Sequence, residues 1–185
     1  MFFFTFRIYL GYTFTNMLIL GIDPGTATTG WGVIETKKGT HTARNFGLLE
    51  TDNNGHPGKR LINIHKLLTE ILRREKPDVV AIEKLFFATN VKTAMSVGQA
   101  IGVILYTVAK EKYDVVEYAP GTIKKMITGD GRADKKMVQQ SLRKKLGARV
   151  RSKKNGKTHF DNSADALAVA LCHAYNCSKE VMKSV

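Results

Sequence analysis

The stretch MLILGIDPGTATTGWGVIE, residues 17–35, reads as a hydrophobic strand that runs into Asp23, a tight turn at Pro24 and Gly25, and a second apolar run beginning at Gly30. The following segment THTARNFGLLE, residues 40–50, is a weaker third strand. Short turns between successive strands indicate an antiparallel meander. This pattern places a carboxylate, that of Asp23, at the end of the first strand.

The rest of the chain alternates between helical and extended patterns. Apolar residues at helical spacing predict a helix that begins near His56 and ends at Pro77, and DVVAIE, residues 78–83, is a strand of the buried, parallel type. Residues 89–109 are apolar nearly all round, as in a central core helix or a helix at a dimer seam. A fifth strand (114–120), a cationic helix ended by Gly147 and an apolar helix (163–176) follow. This order predicts a five-stranded mixed α/β sheet with helices on both faces.

Composition favours one domain with a polyanionic partner. The 185 residues are 43% hydrophobic, and 29 Lys and Arg against 16 Asp and Glu leave a net charge of +13. Between Pro120 and Lys157 there are 13 basic and two acidic residues, so +11 of that charge lies in about a fifth of the chain. Charge for solubility alone is the alternative, but such clustering is typical of a nucleic-acid-binding surface.

The ends of the chain and its cysteines suggest a cytoplasmic protein without a membrane partner. Residues 1–16 are apolar, yet Arg7 interrupts them and they fit neither a signal peptide nor a membrane anchor, so we interpret them as an extension ahead of a domain at 17–178. Residues 179–185 are interpreted as a tail. Cys172 and Cys177 form no zinc-ligand pattern and are expected to be free thiols in a reducing compartment.

Acidic residues from three elements are predicted to converge at one edge of the sheet. Asp23 and Glu83 end two strands, and Asp161 and Asp165 are spaced i, i+4 at the start of the last helix. Carboxylates without cysteine or histidine favour Mg2+ or Mn2+, and two such ions catalyse phosphodiester hydrolysis. Taken singly, Asp23 could serve its turn, Glu83 could be a surface residue, and Asp161 or Asn162 could cap the helix.

Three motifs together, GIDPGTATTGWGVIE, DVVAIEKLFF and SADALAVALCHA, resemble the RuvC family of Holliday-junction resolvases over residues 17 to about 178. The resemblance implies an RNase H-like fold, a homodimer, paired metal-dependent nicks across a four-way DNA junction, and in bacteria a RuvA–RuvB branch-migration partner. It puts Asp23, Glu83 and Asp165 at catalytic metal-binding positions.

The fourth family position departs from the pattern. The family usually has Asp or His three residues before the last Asp, and here that residue is Asn162. Its neutral carbonyl would weaken metal binding. Three explanations stay open: an engineered Asp→Asn inactivation, a natural change for which Asp161 substitutes, or a site that functions with three acids.

Other residues are expected to contact DNA. Phe86 matches a family aromatic that stacks on bases, and Phe87 could share that task, with a core position as the alternative for either. Lys124 and Lys135 fall at family positions that contact DNA or assist the reaction. Candidate phosphate contacts, with a solvated helix face as the alternative for the last three, are Arg132, Lys136, Arg143, Lys144 and Lys145.

Three rival functions share parts of this pattern. An actin-like ATPase opens similarly but needs a second such domain, which 185 residues cannot supply. A small RNase H-like nuclease acting on ribosomal RNA precursors shares GIDPGT, although the basic segment and SADALAVAL favour junction DNA. A junction-binding protein that does not cut is the third, because of Asn162.

Overall fold

The computed structural model describes residues 16–25, 27–51, 56–84, 91–147 and 159–183, without the side chains of 91–93, 159–162 and 179–183. Five strands form one sheet: β1 (Asn16–Asp23), β2 (Thr28–Lys37), β3 (Thr40–Glu50), β4 (Val79–Glu83) and β5 (Val115–Tyr118). Their order is β3-β2-β1-β4-β5. The first three strands pair antiparallel, and β1, β4 and β5 pair parallel, which confirms the predicted mixed sheet with its meander.

Five helices connect and cover these strands: α1 (Pro57–Glu75), α2 (Val91–Lys110), α3 (Pro120–Thr128), α4 (Lys135–Leu146) and α5 (His159–Lys183). Pro57 lies in the first turn of α1 and Gly147 follows the end of α4, the helix positions that proline and glycine favour. Neither α3 nor the full length of α5 was predicted from the sequence. The last helix continues to Lys183 and so includes most of residues 179–185, which the sequence analysis interprets as a tail.

Helices cover both faces of the sheet, as predicted. One core contains Leu20, Ile22 and Val33 with apolar residues of α1 and α2. The other contains Ile19 and Ala81 with apolar residues of α3, α4 and α5. Successive side chains of a strand point to opposite faces, so the odd-numbered residues of β1 and β4 face α5.

No helix in the described part of the chain is both long enough and apolar enough to cross a membrane.

Candidate active site

Asp23 and Glu83 are adjacent because of strand register. Ile22 is paired with Ile82 in the parallel β1–β4 ladder, so the next residue of each strand, an acid in both, lies at the same carboxyl edge. Both acids also share the parity of Ile19 and Ala81, which places them on the α5 side of the sheet. Their side chains form a hydrogen bond with each other.

Asp165 reaches the same edge because α5 packs unusually close to β1 and β2. A Cβ at Gly21 would lie 2.1 Å from the carbonyl oxygen of Ala166, and one at Gly32 would lie 2.7 Å from the side chain of Leu167. The hydroxyl of Ser163, which is fully buried, donates a hydrogen bond of 3.0 Å to the carbonyl of Gly47 on β3. These contacts fix the first turns of α5 against the sheet.

The three carboxylates line a cavity of about 310 Å³ together with Lys124 of α3 and Lys135 of α4. The Lys135 Nζ lies 2.8 Å from Oδ2 of Asp165. The predicted convergence of Asp23, Glu83 and Asp165 on one edge is therefore what the structure shows. Lys124 and Lys135 lie in the same cavity.

The proximity of the acids disfavours their charged forms. Burial raises the pKa of Asp23 to about 6, with the charge of Asp165 adding to the rise and Lys135 opposing it. Burial also raises the pKa of Glu83 to about 7, with the charges of Asp23 and Asp165 adding to it and Lys124 opposing it. A cation in this cavity would offset the repulsion between the acids.

The donor set fits a hard divalent cation, although its geometry is not that of a closed cage. Three carboxylates with no cysteine or histidine among them are the ligands that Mg2+ and Mn2+ prefer. Within the described ranges, no three acidic, histidine or cysteine side chains are arranged to hold one ion. Asp23 and Glu83 contact each other, and the Nζ of Lys135 lies 2.8 Å from Oδ2 of Asp165.

The remaining candidate ligands lie in the first turn of α5. This helix begins at His159, so Asp161 and Asn162 are inside it, and neither is its N-cap as the alternative interpretation supposed. Their side chains lie outside the described part of the structure, as do all of residues 85–90, which include the predicted DNA-stacking pair Phe86 and Phe87.

The predicted phosphate contacts are exposed on and before α4. The side chains that lie exposed there are those of Arg132, Lys136, Arg143, Lys144 and Lys145, and Lys124 is partly buried. The Nζ of Lys145 also lies 5.0 Å from the centre of the Tyr175 ring on α5. Three cations lie in the last turn of α4, where they interact favourably with the negative end of the helix dipole. Lys145 therefore has a structural contact in addition to its predicted contact with DNA.

One buried polar group near the site was not predicted in detail. His173 lies on α5, and its Nδ1 lies 2.7 Å from the hydroxyl of Tyr118, the β5 residue paired with Glu83. Burial lowers the pKa of His173 to about 4, so the ring is neutral at pH 7. The contact with Tyr118 joins α5 to β5 next to Glu83. No sequence pattern predicts the contact of His173 with Tyr118.

The sequence and the fold match known proteins. The family described as crossover junction endodeoxyribonuclease RuvC matches residues 19–173. Its members in Caldicellulosiruptor saccharolyticus and Chloroflexus aggregans are 42% and 43% identical to this chain, covering 88% and 86% of it and 95% and 93% of their own lengths. The structure of T. thermophilus RuvC in complex with a Holliday junction substrate superposes with a TM-score of 0.77 at 31% identity, over 87% of this chain and 94% of that one. The chain therefore has the predicted RNase H-like fold and belongs to the crossover junction endodeoxyribonuclease RuvC family.

Proposed function

We propose that this chain resolves four-way DNA junctions by paired, metal-dependent hydrolysis of phosphodiester bonds in recombination and repair. The observation that carries the proposal is the cavity in which Asp23, Glu83 and Asp165 lie with Lys124 and Lys135. Acids that can hold Mg2+ or Mn2+ and lysines that can hold a phosphate meet there at the carboxyl edge of the sheet.

Each side chain of the cavity has a part in this proposal. Asp23, Glu83 and Asp165, with Asn162 or Asp161, would hold two divalent ions. Bound there, the ions would activate a water molecule and stabilise the leaving 3′ oxygen. Lys124 and Lys135 would hold the scissile phosphate in line with the attacking water, because their positive charges offset the negative charges of the phosphate oxygens.

DNA binding is supported by the position of the basic residues. Exposed cations extend from the cavity along α4, whose first residue, Lys135, lines it. Lys144 lies roughly 14 Å further along that helix axis, a distance that reaches neighbouring phosphates of a DNA arm. Phe86 and Phe87, which follow Glu83 closely in sequence, would stack on bases opened at the junction centre.

A homodimer is supported by an exposed apolar face on α2. Met95 and Tyr106 are 66% and 59% exposed, and a Cβ added at Gly98 or Gly102 would meet no atom within 4 Å. Met95, Gly98, Gly102 and Tyr106 lie three or four residues apart and so share one side of the helix. A second copy that covers this face would give two active sites for two strands.

Family membership also supports a RuvA–RuvB branch-migration complex as partner and a cytoplasmic location. Cys172 and Cys177 are thiols rather than disulfide-bonded in the described part of the structure, as is usual in a reducing compartment.

The first experiment compares the chain as it stands with Asn162→Asp. Each is incubated with a labelled four-way junction and Mg2+, and both binding and paired nicks are scored, with linear duplex DNA and a structured RNA as competitors. We expect both proteins to bind the junction in preference to the duplex. The substitution introduces a carboxylate, which is a charged oxygen ligand, so the variant should nick faster.

The outcomes separate the alternatives. Nicking by the variant alone identifies residue 162 as a disabled ligand and the unchanged chain as a junction-binding protein. Equal nicking by both shows that Asp161 or the three acids suffice. Preference for RNA would support the alternative RNase H-like nuclease, and loss of preference for the junction over duplex would contradict the proposal.

A further inference from the structure

Lys135 forms an ion pair with Asp165 in the acidic cavity. Its Nζ lies 2.8 Å from Oδ2 of Asp165, and the two side chains are 56% and 29% exposed. The pair joins two helices, since Lys135 begins α4 and Asp165 is near the start of α5. The lysine therefore supplies positive charge at an oxygen that the proposed function assigns to a divalent ion.

The backbone of Lys135 is fixed, while its side chain is long enough to reach more than one partner. Asp134 is the N-cap of α4, and its Oδ1 accepts a hydrogen bond of 2.8 Å from the amide of Met137. Before it, Oδ1 of Asp130 accepts a bond of 2.8 Å from the amide of Arg132. This capped turn holds the Cα of Lys135 at the rim of the cavity. Four methylene groups then let its Nζ reach different points from one fixed origin.

We propose that Lys135 is the internal counter-ion of the metal-free site: it holds Asp165 until a divalent cation binds, is displaced by that cation, and then faces the scissile phosphate. The inference rests on the proposed function, whose metal site it concerns.

Competition follows from charge and distance. A bound Mg2+ lies about 2.1 Å from its carboxylate oxygens, and an ammonium group in contact with the same oxygen would then be only about 4–5 Å from the ion. A single and a double positive charge at that distance repel strongly in a partly buried site. The Nζ therefore leaves Asp165 when the ion binds. At the mouth of the cavity it can then form an ion pair with a DNA phosphate.

The test measures Mn2+ affinity in the full-length chain without DNA, by calorimetric titration. Lys135→Met keeps an unbranched side chain one atom shorter than lysine and removes its charge, so the variant should bind Mn2+ about three- to tenfold more tightly than the unchanged chain. Lys125→Met is the matched control: it removes one charge from exposed α3 without lining the cavity, and its affinity should change less than about twofold. Glu83→Gln should lose most of the binding.

Three results are informative in different ways. If Glu83→Gln binds Mn2+ as well as the unchanged chain does, the ions do not use this cavity, and both the proposed metal site and this inference fail. If Glu83→Gln loses binding but Lys135→Met binds no more tightly than Lys125→Met, the inference fails and the proposed function stands. Tighter binding by Lys135→Met alone supports the exchange.

A second measurement does not depend on any variant. The Nζ resonance of Lys135 in the unchanged chain should show an ion-paired amine in the presence of EDTA and lose that signature when Mg2+ is added, while that of Lys125 stays unchanged. A Lys135 signal that persists at saturating Mg2+ overturns the proposal.

Discussion

Glu83 and Asp23 share a hydrogen bond at the ends of β4 and β1, in a cavity where a third carboxylate, that of Asp165, lies beside them. Two negative charges there cost free energy, and the folded metal-free protein responds by holding protons more tightly than the unfolded chain does. The clustered acids therefore destabilise the metal-free fold when they are ionised.

Glu83→Gln should stabilise the metal-free protein at pH 8. The pKa of Glu83 is raised from 4.5 to about 7, so the folded state binds more protons between these values and its stability falls as pH rises through that window. An amide keeps a hydrogen bond to Asp23 without the charge, and the gain should be about 1–3 kcal/mol. Urea unfolding in EDTA at pH 4 and pH 8 measures it, and the difference from the unchanged chain should vanish at pH 4.

A control separates this effect from the loss of any acid. Glu117 on β5 is paired with Ile82, its side chain is 39% exposed, and it lies 3.9 Å from Lys84. Glu117→Gln should change stability by less than about 0.5 kcal/mol at either pH. The protonation of His173 lowers stability as pH falls below about 6.5, but it is common to all three proteins and cancels from the differences. An equal gain from both substitutions would contradict the explanation by clustered charge.

The convergence of the acids was predictable from residue patterns, whereas their partners were not. Strand alternation and the carboxyl-end rule suffice to bring Asp23 near Glu83, once β1 and β4 are neighbours. The contact between Lys135 and Asp165 depends on how α4 lies against α5, and the contact of Tyr118 with His173 depends on how α5 lies against β5. Sequence periodicity describes the exposed and buried sides of an element but not these packing distances.

At the scale of elements, α5 can pack close to β1 and β2 because the residues that face it there, Gly21 and Gly32, have no side chain. Gly21→Ala should destabilise the fold by about 3 kcal/mol or more, because the new Cβ would lie 2.1 Å from the Ala166 carbonyl oxygen and 2.7 Å from the Ala170 nitrogen, both backbone atoms. Since Ala166 follows Asp165, the shift should also weaken Mn2+ binding. Thermal unfolding and metal titration measure the two effects.

The matched control is Gly121→Ala on α3. Its nearest neighbour would be the carbonyl oxygen of Gly131 at 3.9 Å, an ordinary contact, and alanine favours a helix over glycine by about 1 kcal/mol. We expect an unchanged or raised melting temperature there. A Gly21→Ala protein as stable as this control would show that α5 does not depend on the close approach.

Most elements were predicted from the sequence, and the main omission has a physical reason. Apolar spacing and Gly147 mark α4, and β3 begins and ends as expected at Thr40 and Glu50. The helix α3 was missed because PGTIKKMIT has nine residues, a glycine and β-branched residues, and no acidic residue in its first turn. It forms because Ile123 and Ile127 are buried against the rest of the core, which local propensity does not report.

At the scale of the whole molecule, the sheet separates two tasks. The face covered by α3, α4 and α5 carries the acids and most of the clustered positive charge, whereas α1 and α2 cover the other face. The exposed apolar residues of α1 and α2, which include Ile62 and Tyr106, therefore lie away from the side proposed to face DNA. In a dimer formed through these residues, the acidic cavities of both copies could bind one junction at the same time.

Tyr106→Glu tests that arrangement. Burying a carboxylate in the middle of an apolar interface is costly even with Lys110 Nζ nearby, 5.6 Å from the Tyr106 ring centre, because both charges lose their water. The variant should therefore sediment as a monomer of 20.6 kDa where the unchanged chain sediments at twice that mass. Met137→Glu is the control, because Met137 is also an exposed apolar residue, 45% accessible, but lies on α4. The substitution is made in whichever chain nicks junctions, the unchanged one or Asn162→Asp. The Tyr106→Glu monomer should still bind Mn2+ and make single nicks, because each monomer holds one complete set of acids, but it should lose paired cuts. Dimers that persist in this variant and separate in Met137→Glu would instead place the interface on the α4 side, where it would compete with DNA.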